Sequence, residues 1–468
     1  MNVVSKKSYL SFILLSGFIV TGCTTNSAIE TQPNSLPTPE NWTKENILTQ
    51  KVNSEVNAQW LDKLVTPTLK QNIEIALQNN RALKQQKLAV EIAEQSLLVS
   101  GATLWPSLDL NLSASERDYG TAVSSSELSL SLKYEFDLWG KLSASERQAN
   151  LNYAALLAKY EQQKRALVSD VILNWYLVVE QNQQLTLSQE RLNSITQNLA
   201  IIESGYDSGL NTSLDVYLSR NEVASERSNV ASQKTALQAA IRKLELLLGQ
   251  YPKAALQTNV QEIPELTSNI AVGLPADTVA NNPELQYMWN SLLAKDAGLA
   301  YAHKQRFPSF SLTASAGGSS EELADLLSSD LGWSLVGNIT APIFNAGRLA
   351  ANEEKARLET KQSEQAYLET LFNTFSSIEN GLTESSNLKL SYDANIDASN
   401  NAQLAQDVSF EQYLKGLVSY TTVLDAQNRA FSAQSTVIKL KYEMLNTRLQ
   451  LFTALGGDFS SILSKDVK

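Results

Sequence analysis

Two short stretches of strict alternation stand out in a chain otherwise dominated by helical spacing. Leu108, Leu110, Leu112 and Ala114 alternate with Ser107, Asp109, Asn111, Ser113 and Ser115, and a second run sets Leu128, Leu130, Leu132, Tyr134, Phe136 and Leu138 between Ser129, Ser131, Lys133, Glu135 and Asp137. A period of two is that of a strand with one apolar and one polar face. The pattern returns further along: Phe310, Leu312, Ala314 and Ala316 alternate with Ser311, Thr313 and Ser315, and Trp333, Leu335, Ile339, Ala341 and Ile343 form a less regular run. Strands are expected at about 107–115, 127–138, 309–317 and 332–343, each near the 9 to 11 residues that a tilted strand needs to cross a bilayer. A soluble hairpin with one buried face would alternate in the same way, but serine, asparagine and charge on the polar side suit a lumen. Lipid cannot satisfy an open sheet edge, and the smallest membrane barrels have about eight strands, so a four-stranded chain would have to share its barrel with other chains.

Outside these runs the spacing is helical. Leu185, Leu192, Leu199 and Tyr206 recur every seven residues with Ile195 and Ile202 between them; Val216, Val223, Val230, Leu237 and Leu244 do the same, as do Leu424, Phe431, Ile438, Leu445 and Phe452. Such stripes are coiled-coil seams or ordinary core. Proline is poorly tolerated inside helices, and none occurs between Pro106 and Pro252 or after Pro342. One helix from Leu142 to Ser204 would be roughly 90 Å long, more than a globular core can use.

The chain also repeats itself. Asn79-Asn80 recurs as Asn281-Asn282 and Trp105-Pro106-Ser107-Leu108 as Phe307-Pro308-Ser309-Phe310, both offset by 202 residues. Gly140-Lys141-Leu142 answers to Gly347-Arg348-Leu349, and Tyr206-x-x-Gly209-Leu210 to Tyr413-x-x-Gly416-Leu417, both offset by 207. Two tandem units follow: a first repeat over 66–251 with a helical hairpin at 142–248, and a second over 283–456 with a hairpin at 348–455. A proline-broken connector at 252–282 joins them, and a tail occupies 457–468. The expected fold is mainly α with a transmembrane β part, each repeat being a strand pair plus a long α-helical hairpin.

The N-terminus changes the picture. Lys6 and Lys7 precede an apolar run from Tyr9 to Val20, then Thr21, Gly22 and Cys23, the only cysteine. The run is shorter than the ~20 residues of a membrane-spanning helix and reads as a signal peptide over 1–22. An incidental cysteine beside an ordinary signal peptide is the alternative to a modified one. The stretch resembles a bacterial lipoprotein box, with valine at position 20 where leucine is usual, and the resemblance implies cleavage before Cys23 and its acylation, for instance with palmitate. Thr24 stands where aspartate would resemble an inner-membrane retention signal, which favours the outer membrane. Residues 23–65, with Pro33, Pro37 and Pro39 among polar neighbours, read as an extended leader wrapping a surface or tethering the lipid.

Composition excludes more than it proposes. Glycine (19) and proline (11) are scarce, charged residues make up 19%, and the net charge is −11 without a standout basic patch, which argues against nucleic acid. One cysteine allows no intramolecular disulfide. Reactive clusters are missing: His303, the only histidine, reads as a surface residue, and Glu353, Glu354 and Glu364 read as solvated helix faces. Neither an enzyme nor a cofactor is expected.

Signal peptide and lipobox, duplicated strand pairs and hairpins, and the paired Y-x-x-G-L turns resemble TolC-like outer membrane efflux factors of the lipidated branch; YLKGLVSYTTVLDAQ (Tyr413 to Gln427) is the most specific stretch. The resemblance covers nearly all of the chain after the signal peptide. It implies a homotrimer in which a twelve-stranded β-barrel continues into a twelve-helix periplasmic tunnel, docked to a periplasmic adaptor (membrane fusion protein) and an inner-membrane pump of the RND or ABC type. It places the adaptor-docking tips at Gly209-Leu210 and Gly416-Leu417. It implies that Asp425 points into the tunnel near its closed end and that Asp215 and Tyr413 share a hydrogen bond between helices. The chain departs from some members at Thr422 and Val418, which leaves Tyr420 and Val423 as candidates for an apolar or aromatic ring at the gate. Export of drugs or other small toxic solutes is the preferred expectation; metal-ion efflux and type I protein secretion use the same architecture, and a pore-free coiled-coil lipoprotein is the alternative of another class.

Overall fold

The computed structural model describes residues 29, 38–39, 42–43, 60–61, 64–118, 122–258, 260, 262–265, 275–326 and 330–459. The expected signal peptide and Cys23 lie outside them. The elements are α1 (Pro67–Asn79), α2 (Arg81–Ala102), β1 (Ser107–Asp118), β2 (Ala122–Phe136), α3 (Lys141–Asp207), α4 (Ser213–Leu247), α5 (Pro275–Asn281), α6 (Pro283–Lys304), β3 (Ser309–Ser320), β4 (Gly332–Thr340), α7 (Arg348–Leu414) and α8 (Tyr420–Ala454). The long helices match in pairs: α3 and α7 have 67 residues each, α4 and α8 have 35 each. A straight 67-residue helix is about 100 Å long. Two compact units divide the chain, and each draws on both repeats.

The first unit (1–32, 100–148, 295–362) holds one antiparallel sheet in the order β1-β2-β3-β4. Its register aligns the alternation of all four strands. Leu110, Leu130, Ala316 and Trp333 form one cross-strand row and Leu108, Leu132, Ala314 and Leu335 the next, while Asp109, Ser131, Ser315 and Ser334 form a row between them on the opposite face. β2 starts at Ala122, ahead of the alternating run, because it pairs with β1 right to the turn; β4 stops at Thr340, before Pro342, which cannot donate to a ladder.

Where strands give way to helices, side chains close the junction. Asp137 accepts from the Leu142 and Ser143 amides (2.8 and 2.9 Å) and from the Ser143 hydroxyl, capping α3. Burial works to raise its pKa, but these hydrogen bonds outweigh it and hold the carboxyl below its usual range. Trp139 Nε1 donates to the Pro308 carbonyl at 2.8 Å, and Lys304 Nζ donates to Gly140 at 3.1 Å. The expectation of solvated carboxylates fails at two positions. Glu364 is buried, and Glu353 lies between His303 Nδ1 (3.0 Å), Arg306 (2.6 Å) and Arg357 (3.4 Å), so the lone histidine is a hydrogen-bond partner of a carboxylate rather than a free surface residue.

The second unit (33–99, 149–294, 363–468) is helical and its main core joins both repeats. Val171, Ile172, Trp175 and Val179 of α3 pack with Leu244 of α4, Leu445, Leu449 and Phe452 of α8, and Trp60, Leu61 and Leu64 ahead of α1. Each such side chain contributes about 1.5–3 kcal/mol on burial. A smaller cluster sets Trp42 edge-on to Phe375, with centroids 5.8 Å apart, beside Leu371, Ile378 and Leu382 of α7. Trp42 and Trp60 thus seat two points of the leader on the helices.

Candidate channel surfaces and hairpin tips

The sheet presents two chemically different faces and two open edges. On one face lie the leucine rows with Tyr134, Phe136, Phe310 and Ile339; on the other, Asn111 Nδ2 donates to Ser131 Oγ (3.2 Å), Ser315 and Ser334 share a hydroxyl contact (2.8 Å), and Lys133 pairs with Asp109 at 3.7 Å. Among the described residues little covers the apolar face: Leu108, Leu110, Leu112, Leu335 and Ile339 are exposed, and Trp333 is 81% exposed. Among the described residues β1 and β4 each pair on one side only, leaving rows of backbone donors and acceptors. A surface of this kind calls for lipid against its apolar face and further strands at its edges.

At the other ends of the long helices the repeated Y-x-x-G-L motifs form the same turn twice. Gly209, at φ +71°, donates to the Tyr206 carbonyl at 2.9 Å and Leu210 to Gly205 at 2.8 Å; Gly416, also at φ +71°, donates to Tyr413 at 2.8 Å and Leu417 to Gln412 at 2.9 Å. This is the Schellman closure of a helix, which needs a residue in the left-handed region and therefore favours glycine. The leucine after the glycine points outward in both, 83% exposed at Leu210 and 69% at Leu417.

Beside the tips, the expected gate residues divide into two groups. Tyr420 and Val423 are 1% and 0% exposed, packed with Ile202 of α3 and Val216 of α4, so in this conformation they clamp the two hairpins together rather than line an opening. Tyr413 lies against Tyr420, with centroids 5.3 Å apart. The Asp215 to Tyr413 hydrogen bond is not made here. Asp215 accepts from the Thr212 amide (3.1 Å) and hydroxyl (2.8 Å) while its own amide donates to Thr212 Oγ1, a reciprocal capping box that starts α4. The Tyr413 hydroxyl is buried without a partner. Burial, then the nearby Asp215 carboxylate and Tyr420, push its phenol up to about 12. Burial also raises the Tyr420 phenol; its neighbour Ser219 works the other way.

Asp425 lies on the exposed side of α8 and pairs with Arg429, one turn on, at 2.9 Å. Arg429 was not singled out from the sequence, although the four-residue spacing from Asp425 was there to be read. Arg191, considered below, was missed for a better reason, because its partners lie on two other helices.

The family model described as "Outer membrane efflux protein" matches residues 72–250 and 274–457. The chain is 30% identical over 404 residues to the solvent efflux pump outer membrane protein SrpC of Pseudomonas putida, covering 84% of this chain and 86% of that protein. It is 29% identical over 450 residues to the probable outer membrane lipoprotein SilC of Salmonella typhimurium, covering 94% and 96%. A crystal structure of CusC superposes with a TM-score of 0.80 at 26% identity over 92% of this chain and 99% of the other. A family model matched over most of the chain, and a shared fold over nearly the whole length, lead to one conclusion: the chain belongs to the outer membrane efflux protein family and has the fold of TolC-like outer membrane channels.

Proposed function

We propose that the protein is the outer membrane duct of a tripartite efflux system, a homotrimer whose sheets close one twelve-stranded barrel and whose hairpins form a twelve-helix periplasmic tunnel. The observation that carries this reading is the four-stranded sheet with an uncovered apolar face, a hydroxyl-rich opposite face and two unpaired edges. Three such sheets joined edge to edge leave no open edge, with serine, threonine and asparagine toward the lumen. Acylated Cys23 would tether the N-terminus to the same membrane. The tips at Gly209-Leu210 and Gly416-Leu417 offer apolar leucines to the hairpins of a periplasmic adaptor, and the transport work comes from an inner-membrane pump of the RND or ABC type. Opening is a switch between two helix packings at the tips, biased by the adaptor's tighter binding to one of them. Asp425 then faces the axis near the closed end, and Tyr413, Tyr420, Val423 and Asp215 hold the helices around it.

Drugs, solvents and other small toxic solutes are the preferred cargo. Metal ions are the second reading, because relatives include proteins named for cation efflux. The first test is single-channel recording of the detergent-solubilised protein in a planar bilayer, with the mass of the assembly measured alongside. A trimer mass with discrete openings supports the duct; a monomer that never conducts sinks it. Sensitivity of a deletion strain to solvents and dyes, against its sensitivity to copper and silver salts, separates the two cargoes.

A further inference from the structure

A single guanidinium serves helices of both repeats. Arg191 of α3, with its side chain 12% exposed, contacts Glu222 of α4 and donates from Nη2 to Asn428 Oδ1 of α8 at 2.7 Å. Its Nε lies 3.5 Å from Glu226 of α4, and the group sits over the Phe431 ring of α8, 4.5 Å from the centroid. Glu226 is itself held by Asn229 at 2.9 Å, which also reaches Ser188 of α3 at 3.3 Å. Seven residues back along α3, Gln184 donates to the Ser435 carbonyl at 3.0 Å and meets the Ser435 hydroxyl at 2.9 Å. The two rungs are seven residues apart on α3 and seven apart on α8, in opposite directions, which is the heptad step of an antiparallel pair.

Toward the tips the contact between hairpins changes character. It becomes the apolar cluster of Ile202, Val216, Tyr420 and Val423, with the Tyr413 hydroxyl unpartnered and Asp215 engaged in its own cap. Apolar contact is non-directional, whereas a guanidinium held from several sides tolerates little sliding or rotation. Desolvation offsets much of what a buried ion cluster gains, so register is a better account of it than stability. From Arg191 to the end of α3 at Asp207 the sixteen steps correspond to about 24 Å of helix.

We propose that Arg191 is a positioning residue for the tips: with the Gln184 to Ser435 rung it locks α8 in register with α3 and α4, and the segments beyond it are the part that moves. Movement of the tips rests on the duct reading; the register lock does not.

The test is hydrogen–deuterium exchange on the intact, detergent-solubilised protein, with bilayer recording in parallel. The main variant combines Arg191→Met, Glu222→Gln and Glu226→Gln, which keeps side-chain size and strands no buried charge. In the wild type, amides of 192–209 and 416–427 should exchange at least tenfold faster than those of 177–191 and 428–442. In the triple variant the fast zone should extend past residues 184 and 435 with a tenfold gain there, Arg191→Lys should fall between, and the thermal midpoint and assembly mass should stay put. Asn428→Ala, which removes the hydrogen bond to α8 and leaves the stacking on Phe431 and both carboxylate partners, should shift the boundary in the same direction by a smaller amount and covers the case in which the triple variant fails to fold. A boundary that stays in place in the variants overturns the proposal. If the boundary moves but no form of the protein ever conducts, the duct reading fails and the register lock stands. If the protein conducts and the triple variant leaks no more than wild type when closed, Arg191 has no hold on the tips.

Discussion

Gly249 lies so close to Asn79 that a β-carbon on it would stand 2.5 Å from the Asn79 carbonyl oxygen. The same approach recurs between Gly456 and Asn281, at 2.8 Å. Each glycine ends the second helix of a hairpin at positive φ, and the next residue, Asn80 or Asn282, donates to a carbonyl of that helix end at 3.0 Å while its side-chain oxygen caps the following helix. The repeated Asn-Asn pair is therefore the seat on which each hairpin closes. Gly249→Ala and Gly456→Ala should each cost about 1–2 kcal/mol for the left-handed backbone and more for the collision. Gly209→Ala and Gly416→Ala, with nothing within 4 Å, should cost the backbone part alone. Thermal melts of the four single variants check this ordering.

Tyr413 offers a sharper contrast with what the resemblance implied. A buried hydroxyl without a partner carries a desolvation cost, so Tyr413→Phe should leave stability at neutral pH unchanged or raise it by up to about 1 kcal/mol. A hydrogen bond to Asp215 would make the same change destabilising.

The raised phenol has a pH signature. Its ordinary value is near 10 and the folded state holds it at about 12, so folding favours the protonated form. That contribution is complete below pH 10 and disappears as the pH rises from 10 toward 12. The stability difference between wild type and Tyr413→Phe should therefore shift in favour of the variant over that window and stay flat between pH 7 and 9. Parallel denaturation curves at stepped pH measure it.

Strands, hairpins and the repeat were legible because each is periodic and local. Leu108 to Leu112 shows its face every second residue, and Gly209 with Gly416 marks a turn that few other residues make. What stayed hidden depends on partners far along the chain. Glu353 looks like a solvated helix residue until α6 brings His303 and Arg306 to it, and Tyr420 looks like a pore ring until Ile202 and Val216 cover it. Asp215 was read through its resemblance to a linking residue, while Thr212, three positions before it, already spelled a cap.

The two faces of the sheet should respond oppositely to one change. Leu110 and Ser129 are neighbours in the sheet but project from opposite faces. Leu110→Lys places a charge on the uncovered apolar face, where a bilayer midplane position costs about 2–4 kcal/mol. Ser129→Lys adds the same charge among hydroxyls. The first should reduce the yield of assembled protein in outer membranes severalfold and the second should not; equal yields would mean that the apolar face does not meet lipid.

In the proposed trimeric duct, where Asp425 faces the axis, Asp425 and Arg429 bear on what passes. An isolated ring of carboxylates concentrates cations at a constriction, but here each carboxylate has a guanidinium one turn away on the same helix, and both side chains are exposed. Three such pairs around an axis leave alternating charge with no net sign, so the wild type should be only weakly selective between small cations and anions. Removing one partner should expose the other: Arg429→Gln should favour cations and Asp425→Asn anions, each shifting the permeability ratio severalfold in opposite directions. Both side chains are exposed, where solvent and salt screen the pair and its removal costs the fold little, so both variants should assemble normally. Reversal potentials across a salt gradient give the ratios directly. Shifts of the same sign, or none, would place this pair away from the conducting path.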